Sequence, residues 1–414
     1  MLKVAPYPDL LRQIASTHGT PTYVYFEQII RDRIVALTSH LESLPLQLLY
    51  AMKANHSIPV MKRILKQGLG IDAVSPAELL LALKMGFPVE KILFSANNMT
   101  DDEMHFAKRH GVILNVGELS RLEKLGRTYP GSSACIRLNP QIGAGHHKHV
   151  ITAGTESKFG IPVEQIEEIH AIANRYDLHI RGLHQHIGSG ILDTDTLWKA
   201  INVMLHASQS FTRLEFINMG GGLGVPYKAQ ETGIPMDEFE SKIVRPLKAF
   251  IKNHPAQNLQ IWFEPGRYFT AESGVLLATV NTIKETEKIT FAGVDSGMNH
   301  LVRPAMYGAF HEVVNLSNPD GALCKYDVVG NICESADFFA KERMIPELRE
   351  GDVVAVLDSG AYGISMANHY NMRSLPAEVF VPIDEARLDN NGTPFEFRSR
   401  QSVDQIVEEA MTLV

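Results

Sequence analysis

The chain has 414 residues, 45% of them hydrophobic and 21% charged, with a formal net charge of −8 and a pI near 6.1. That length exceeds the usual single domain and fits two domains, or one large barrel with an addition. The acidic balance excludes the basic face that a nucleic-acid or anionic-membrane binder needs, and three cysteines, Cys135, Cys324 and Cys333, make no disulfide framework.

Buried-strand runs alternate with amphipathic stretches along the first two thirds of the chain. TYVYF (22–26) is a strand candidate ahead of the alternation. The runs that follow are LQLLYAM (46–52), GIDAV (70–74), KILFSA (91–96), VILNV (112–116), SACIRLN (133–139), HIRGLHQHI (179–187), LEFINMG (214–220) and LQIWFEP (259–265). Helical patterns such as IPVMKRILKQG, PAELLLALKMG, DDEMHFAKRHG and VEQIEEIHAIANRYD separate them, several ending in the glycine that stops a helix. Eight strand-then-helix units predict an α/β fold with a parallel (β/α)₈ TIM-type barrel over 25–270; an open doubly wound sheet is the competing arrangement. From 271 the texture turns β-rich, in VLLATVNTIKE, ITFAGVD, HEVVNL, KYDVVGN, DVVAVLD and AEVFVP. This predicts a mostly β C-terminal domain of residues 271–414, joined by the N-terminal segment 1–24. The tail SVDQIVEEAMTLV reads as a surface helix. No apolar stretch reaches the ~18 residues of a membrane span. MLKVAPYPDLLRQIASTHG lacks the apolar core of a secretory signal, so a cytoplasmic protein is expected.

In such a barrel, chemistry sits at the C-terminal ends of the strands. The first run ends at Lys53, an unusual place for a side chain rarely buried without a partner. The second leads into Asp72 and Ser75, and the fifth carries Arg137. The sixth ends in His186, Gly188, Ser189 and Gly190, the seventh in Gly220, Gly221 and Gly222, and the eighth in Glu264, Pro265, Gly266 and Arg267. The glycine run lacks the G-x-G-x-x-G spacing of a dinucleotide site. It suits either a tight βα turn or backbone N–H groups that approach an anion closely, with Ser189 adding a hydroxyl. A phosphate cradle, a lysine and a carboxylate in one pocket are what pyridoxal 5'-phosphate requires: an amine for its aldehyde and an anion for its ring nitrogen. Lys53 supplies the amine and Glu264 the carboxylate. His186 is placed to lie against the ring, and Arg267 to reach the phosphate or a substrate carboxylate.

YAMKAN, HIGSG, GGGLG and EPGR, in this order, resemble the fold type III pyridoxal-phosphate decarboxylases, which pair an alanine-racemase-like barrel with a C-terminal β domain. The resemblance spans roughly residues 20–385. SKFGI (157–161), VDSGMNHLVRPAMYGAFH (294–311), NICESADFFAKER (331–343) and DSGAYGISMANHYN (358–371) are most similar to the diaminopimelate decarboxylase branch. The resemblance implies a lyase of lysine biosynthesis that converts meso-2,6-diaminopimelate to L-lysine and CO₂. It implies that Lys53 bonds the cofactor, His186 stacks on it, Glu264 pairs with its ring nitrogen, and Ser189 with Gly220, Gly221 and Gly222 holds the phosphate. Asp72, Arg137, Gly266, Arg267 and Tyr362 complete the expected cofactor set.

Cys333 is implied to enter a neighbouring subunit's site as proton donor, so the working unit is a homodimer with shared active sites. A thiol suits that task, its free pKa being ~8.5. A substrate with a second amino-acid head needs an anion for its ammonium and a cation for its carboxylate. Glu334 suits the first, Arg303 the second through a bidentate contact. Tyr307, Tyr362 and Arg267 are further substrate candidates. The chain departs from the branch's usual pattern at SANNMT (95–100), at the loop GAGHHKHVITAG (143–154), at Ala336, and at Met372 and Ser374 in NMRSLPAEV (371–379), which bears on substrate choice. A related decarboxylase acting on another amino acid or conjugate, and a non-catalytic cofactor-binding homologue, are the alternatives. His146, His147 and His149 fit no standard zinc spacing, so they read as a polar loop and no metal is expected.

Overall fold

The eight expected runs form eight parallel strands in this computed structural model: Leu46–Ala51, Gly70–Ala73, Ile92–Phe94, Ile113–Val116, Ser133–Asn139, His179–His184, Phe216–Asn218 and Gln260–Phe263. The structure describes residues 7–143, 152–154, 157–256, 258–383 and 396–412. Each strand pairs with its neighbour, and the eighth pairs back with the first, Ile261 opposite Leu46 and Phe263 opposite Leu48. That closure makes the sheet a barrel and excludes the open doubly wound alternative. Near-continuous apolar strands follow from burial on both faces, inside by packed side chains and outside by helices. Leu49, Leu93, Ile113, Cys135, Phe216 and Trp262 form one cluster, with the Phe216 and Trp262 rings stacked at 3.8 Å.

Local chemistry sets where the barrel helices begin. Ser75 caps Pro76–Lys84 by accepting the Glu78 N–H, and proline at the first helical position loses no bond there. Thr100 and Glu103 form a reciprocal capping box on Asp101–Arg109. Six of the strands end earlier than their apolar runs, the last three by two or three residues. The sixth stops at His184, not Ile187. The seventh stops at Asn218, because Gly220 turns to φ +73°, and the eighth at Phe263, two residues before Pro265.

The chain divides into two compact units. One comprises Ile34–Val225 with Thr232–Tyr268, the other Met1–Arg33 with Pro226–Glu231 and Phe269–Val414. In the second, the long strand Gly274–Glu285 is central. It pairs antiparallel with Thr22–Phe26, Thr290–Val294 and Val353–Val356. Thr22–Phe26 is buried along its whole length and pairs in parallel with Ala377–Val381 on its other side. Leu11, Ile14, Val24 and Phe26 pack with Val275, Leu277, Leu357 and Val379 in the core of this unit. Phe338–Pro346 is a strand that its sequence hides: Lys341, Glu342 and Arg343 interrupt the apolar pattern, as suits the outer edge of a sheet. The tail forms the expected helix, Val403–Met411, capped by Ser402 and Gln405.

One buried carboxylate makes the second unit pH-sensitive. Asp358 is 7% exposed. Burial, then the nearby Glu272 carboxylate, pushes its pKa up to about 7, against the pull of Arg303 and Arg33. Between its unfolded value near 3.9 and about 7, the folded chain holds a proton that the unfolded chain has released. Stability from this group is therefore complete below pH ~4 and declines as pH rises through 7. Denaturant unfolding should show wild type losing stability from pH 5 to pH 8, and Asp358→Asn losing much less.

Candidate active site

Lys53 lies in the single turn Met52–Ala54 that follows the first strand. The turn is held by its own motif. The Tyr50 hydroxyl donates to the Asn55 carbonyl at 2.9 Å, and Asn55 Oδ1 accepts the Ser57 N–H at 2.9 Å. Barrel closure brings the E-P-G-R segment against it. A Cβ on Gly266 would come within 2.9 Å of the Ala54 Cβ and 3.0 Å of the Ala51 Cβ. Small residues on both segments are thus a packing requirement.

Lys53 Nζ donates to Asp72 Oδ2 at 2.5 Å. Asp72 is 1% exposed. Burial raises its pKa while the Lys53 ammonium opposes that shift. Glu264, 3% exposed, is held from both sides. His184 Nε2 lies 3.0 Å from Oε2, and Asn218 Nδ2 donates to Oε1 at 2.7 Å. Burial alone would raise the Glu264 pKa, but the His184 charge and hydrogen bond, then Lys53, pull it below the usual carboxylate range. His186 is half-buried, and burial, then the charges of Lys53 and Arg137, keep its pKa well below the ordinary imidazole value. Its Nδ1 accepts the Gly221 N–H at 3.2 Å, so the neutral ring carries its proton on Nε2.

The glycine run is required by close backbone approach. A Cβ on Gly220 would meet the Gln185 carbonyl at 2.0 Å, and one on Gly221 the Glu264 carbonyl at 2.4 Å. Gly222 adopts φ +106°. Two of the run's N–H groups have protein partners, Gly220 on Asn218 Oδ1 at 2.9 Å and Gly221 on His186. Ser189 Oγ accepts from Arg267 Nε at 3.1 Å, and the Arg137 guanidinium stacks over Phe159 at 4.7 Å. Lys53, Asp72, Arg137, His186, Ser189, Gly220, Gly221, Gly222, Glu264, Gly266 and Arg267 all belong to the barrel unit. His146, His147 and His149 lie outside the described residues. Among the described residues no cluster of three or more acidic, histidine or cysteine side chains is placed to hold a metal ion.

The remaining expected residues belong to the other unit. Arg303 is 1% exposed, and its Nη1 donates to His311 Nε2 at 2.7 Å. His311 Nδ1 in turn lies 2.8 Å from the Leu357 carbonyl, which selects the tautomer that leaves Nε2 free to accept. The Arg303 guanidinium also lies 4.7 Å from the centre of the Tyr227 ring. Tyr307 and Tyr362 are half-buried, Tyr362 with φ +57°. Cys333 and Glu334 are exposed on a loop folded by Asp337, which accepts the Met298 N–H at 2.6 Å and the Ile332 N–H at 2.7 Å. Asn371 Oδ1 accepts the Cys333 N–H at 2.9 Å, from a left-handed backbone (φ +58°) that asparagine tolerates. Asn371 therefore supports the cysteine loop directly.

Sequence reading passed over His184, Asn218 and His311. A signal existed for the first: in HQH the two histidines are two residues apart, and the strand ends on the earlier one. Nothing in the sequence separated Asn218 from the glycine run it precedes.

A closed parallel barrel with its lysine after the first strand, followed by a β-rich unit, is the architecture of the fold type III pyridoxal-phosphate-dependent decarboxylases. Residues 27–271 match the family described as pyridoxal-dependent decarboxylase, pyridoxal binding domain. The diaminopimelate decarboxylase of Methanothermobacter thermautotrophicus is 42% identical over 378 residues, spanning 89% of this chain and 88% of that protein. That of Aquifex aeolicus is 34% identical over 415 residues, spanning 97% and 94%. The crystal structure of diaminopimelate decarboxylase from Helicobacter pylori complexed with L-lysine aligns with a TM-score of 0.86 at 29% identity, covering 98% of this chain and 100% of that one. The chain belongs to the diaminopimelate decarboxylase family, and its cofactor is pyridoxal phosphate.

The residues present fit that group. Asp72 Oδ1 and His184 Nδ1 are buried polar atoms without a hydrogen-bond partner among the described residues, so the barrel's own polar set is incomplete. Lys53→Ala should fold with wild-type circular dichroism yet lose the cofactor's visible absorbance on exhaustive dialysis, where wild type retains it.

Proposed function

We propose that this protein decarboxylates one amino-acid head of meso-2,6-diaminopimelate and releases L-lysine and CO₂. The observation that carries the chemistry is the joint placement of the Lys53–Asp72 pair and the doubly hydrogen-bonded Glu264 in one barrel unit. Family membership carries the substrate. Pyridoxal phosphate supplies an electron sink that lowers the barrier to breaking the Cα–carboxylate bond.

The protein's part is binding, orientation and proton transfer. Lys53 must give up a proton to act as a nucleophile. Asp72, its pKa raised by burial and its Oδ2 2.5 Å from Nζ, is positioned to exchange that proton. Glu264 presents a fixed anion to the ring nitrogen. His186, neutral and anchored by Gly221, stacks on the ring. Gly220, Gly221, Gly222, Ser189 and Arg267 hold the phosphate, with Arg137 and Gly266 shaping the cofactor's surroundings. Cys333, supplied by the second subunit of a homodimer, donates the proton to Cα. Arg303 and Tyr307 take the carboxylate of the substrate's distal head, Glu334 its ammonium, and Tyr362 lies beside them. The fixed Arg303 guanidinium supports that role: a planar, pre-oriented donor pair loses little freedom on meeting a carboxylate.

Among the described residues no helix is long and apolar enough to cross a membrane. We place the enzyme in the cytoplasm, where three unpaired cysteines stay reduced.

Incubating the cofactor-loaded protein separately with meso-diaminopimelate, L-ornithine, L-lysine and L-arginine tests the substrate. Lysine and CO₂ should appear from diaminopimelate alone; turnover of another amino acid would overturn the distal-head assignment. Arg303→Ala should lower kcat/KM for diaminopimelate roughly 30-fold or more, the cost of removing one partner of a buried charge pair, with cofactor retention unchanged. Lys53→Ala and Cys333→Ala subunits, each inactive alone, should regain partial activity in verified mixed dimers. No recovery would rule out a shared site.

A further inference from the structure

The residues that contact Glu264 were not among those the chemistry singled out, and they are as buried as Glu264 itself. His184 is 2% exposed and Asn218 0%. Each takes one oxygen of the carboxylate: His184 Nε2 at 3.0 Å from Oε2, Asn218 Nδ2 at 2.7 Å from Oε1. Asn218 is itself locked. Its Oδ1 accepts the Gly220 N–H at 2.9 Å, which fixes the amide's orientation and points its nitrogen at Glu264. The Glu264 N–H donates to the Gly220 carbonyl at 2.8 Å, so the carboxylate and the glycine run form one hydrogen-bonded unit.

We propose that His184 and Asn218 are positioning residues that clamp Glu264 as an oriented anion for the ring nitrogen of pyridoxal phosphate. A buried carboxylate without donors takes up a proton. Once protonated, it loses the charge that favours a protonated ring nitrogen. One donor on each oxygen prevents this and stops rotation of the carboxylate plane, while each oxygen keeps a lone pair for a further partner. Burial raises the Glu264 pKa, and the His184 charge and hydrogen bond, then Lys53, pull it down. Asn218 adds a mechanical link: displacing the glycine run at the phosphate end would disturb the carboxylate at the ring end. This inference rests on the reading of Glu264 as the ring-nitrogen partner.

The test separates the two. His184→Leu fills similar volume without a donor, His184→Gln keeps a donor near the Nε2 position, and Asn218→Asp keeps the acceptor for the Gly220 N–H but loses the donor to Glu264. For each, and for Glu264→Gln, cofactor affinity is measured by equilibrium dialysis and the bound cofactor's visible spectrum is recorded, with circular dichroism as the check on folding. His184→Leu and Asn218→Asp should each weaken cofactor retention roughly 10- to 100-fold, the size of a lost hydrogen bond to a charged group, and shift the visible band toward that of Glu264→Gln. His184→Gln should stay within about threefold of wild type, a rescue that packing alone does not provide. If His184→Leu and Asn218→Asp match wild type while Glu264→Gln does not, the clamp is wrong and the ring-nitrogen reading stands. If Glu264→Gln also matches wild type, the ring-nitrogen reading itself fails. Should His184→Leu not fold, Asn218→Asp decides by the same criteria.

Discussion

The pairing of the eighth barrel strand with the first is the contact on which the site depends. Lys53 and Glu264 are more than two hundred positions apart in sequence. The ladder that sets Phe263 opposite Leu48 brings the segments after these strands together. Ala51 and Ala54 lie under Gly266 at distances that tolerate no larger side chain there. A parallel barrel closes only if strand number, tilt and register agree. Its two ends therefore meet at a defined stagger, and Lys53 and Glu264 inherit that precision.

The second constraint is electrostatic. The barrel's C-terminal end holds charged groups where water is scarce, and the two central ones are partnered. Lys53 has Asp72; Glu264 has His184 and Asn218. Burial drives Asp72 toward its neutral form and Glu264 is held ionised, so two carboxylates near one lysine are shifted in opposite directions. On the proposed reading, that opposition divides proton exchange from charge stabilisation. The β-rich unit uses the same device differently. There the neutral His311, oriented by the Leu357 carbonyl, accepts a hydrogen bond from Arg303 that a protonated imidazole would refuse.

Two short segments outside the strands have local structural work of their own. Thr100 starts a helix, and Asn371 accepts the N–H of Cys333.

The eight-strand alternation and the β-rich second half were legible in the sequence, because burial on both faces of a parallel sheet writes itself as short apolar runs, and Lys53 and Glu264 stood out there as candidates because charged residues at the ends of such runs are unusual. What the sequence could not contain was partnership. The Glu264 hydrogen bonds to His184 and Asn218 join the ends of three barrel strands, and the Arg303–His311–Tyr227 group draws on a segment, Pro226–Glu231, that lies apart in sequence from both Met1–Arg33 and Phe269–Val414 of its unit. His184 was assigned to mid-strand and His186 to the strand end, where the actual strand stops at His184. A sequence determines which side chains are available and the period of their pattern. Which of them touch is decided by tertiary register, since hydrogen bonds act over about 3 Å and the chain between partners here runs for tens of residues.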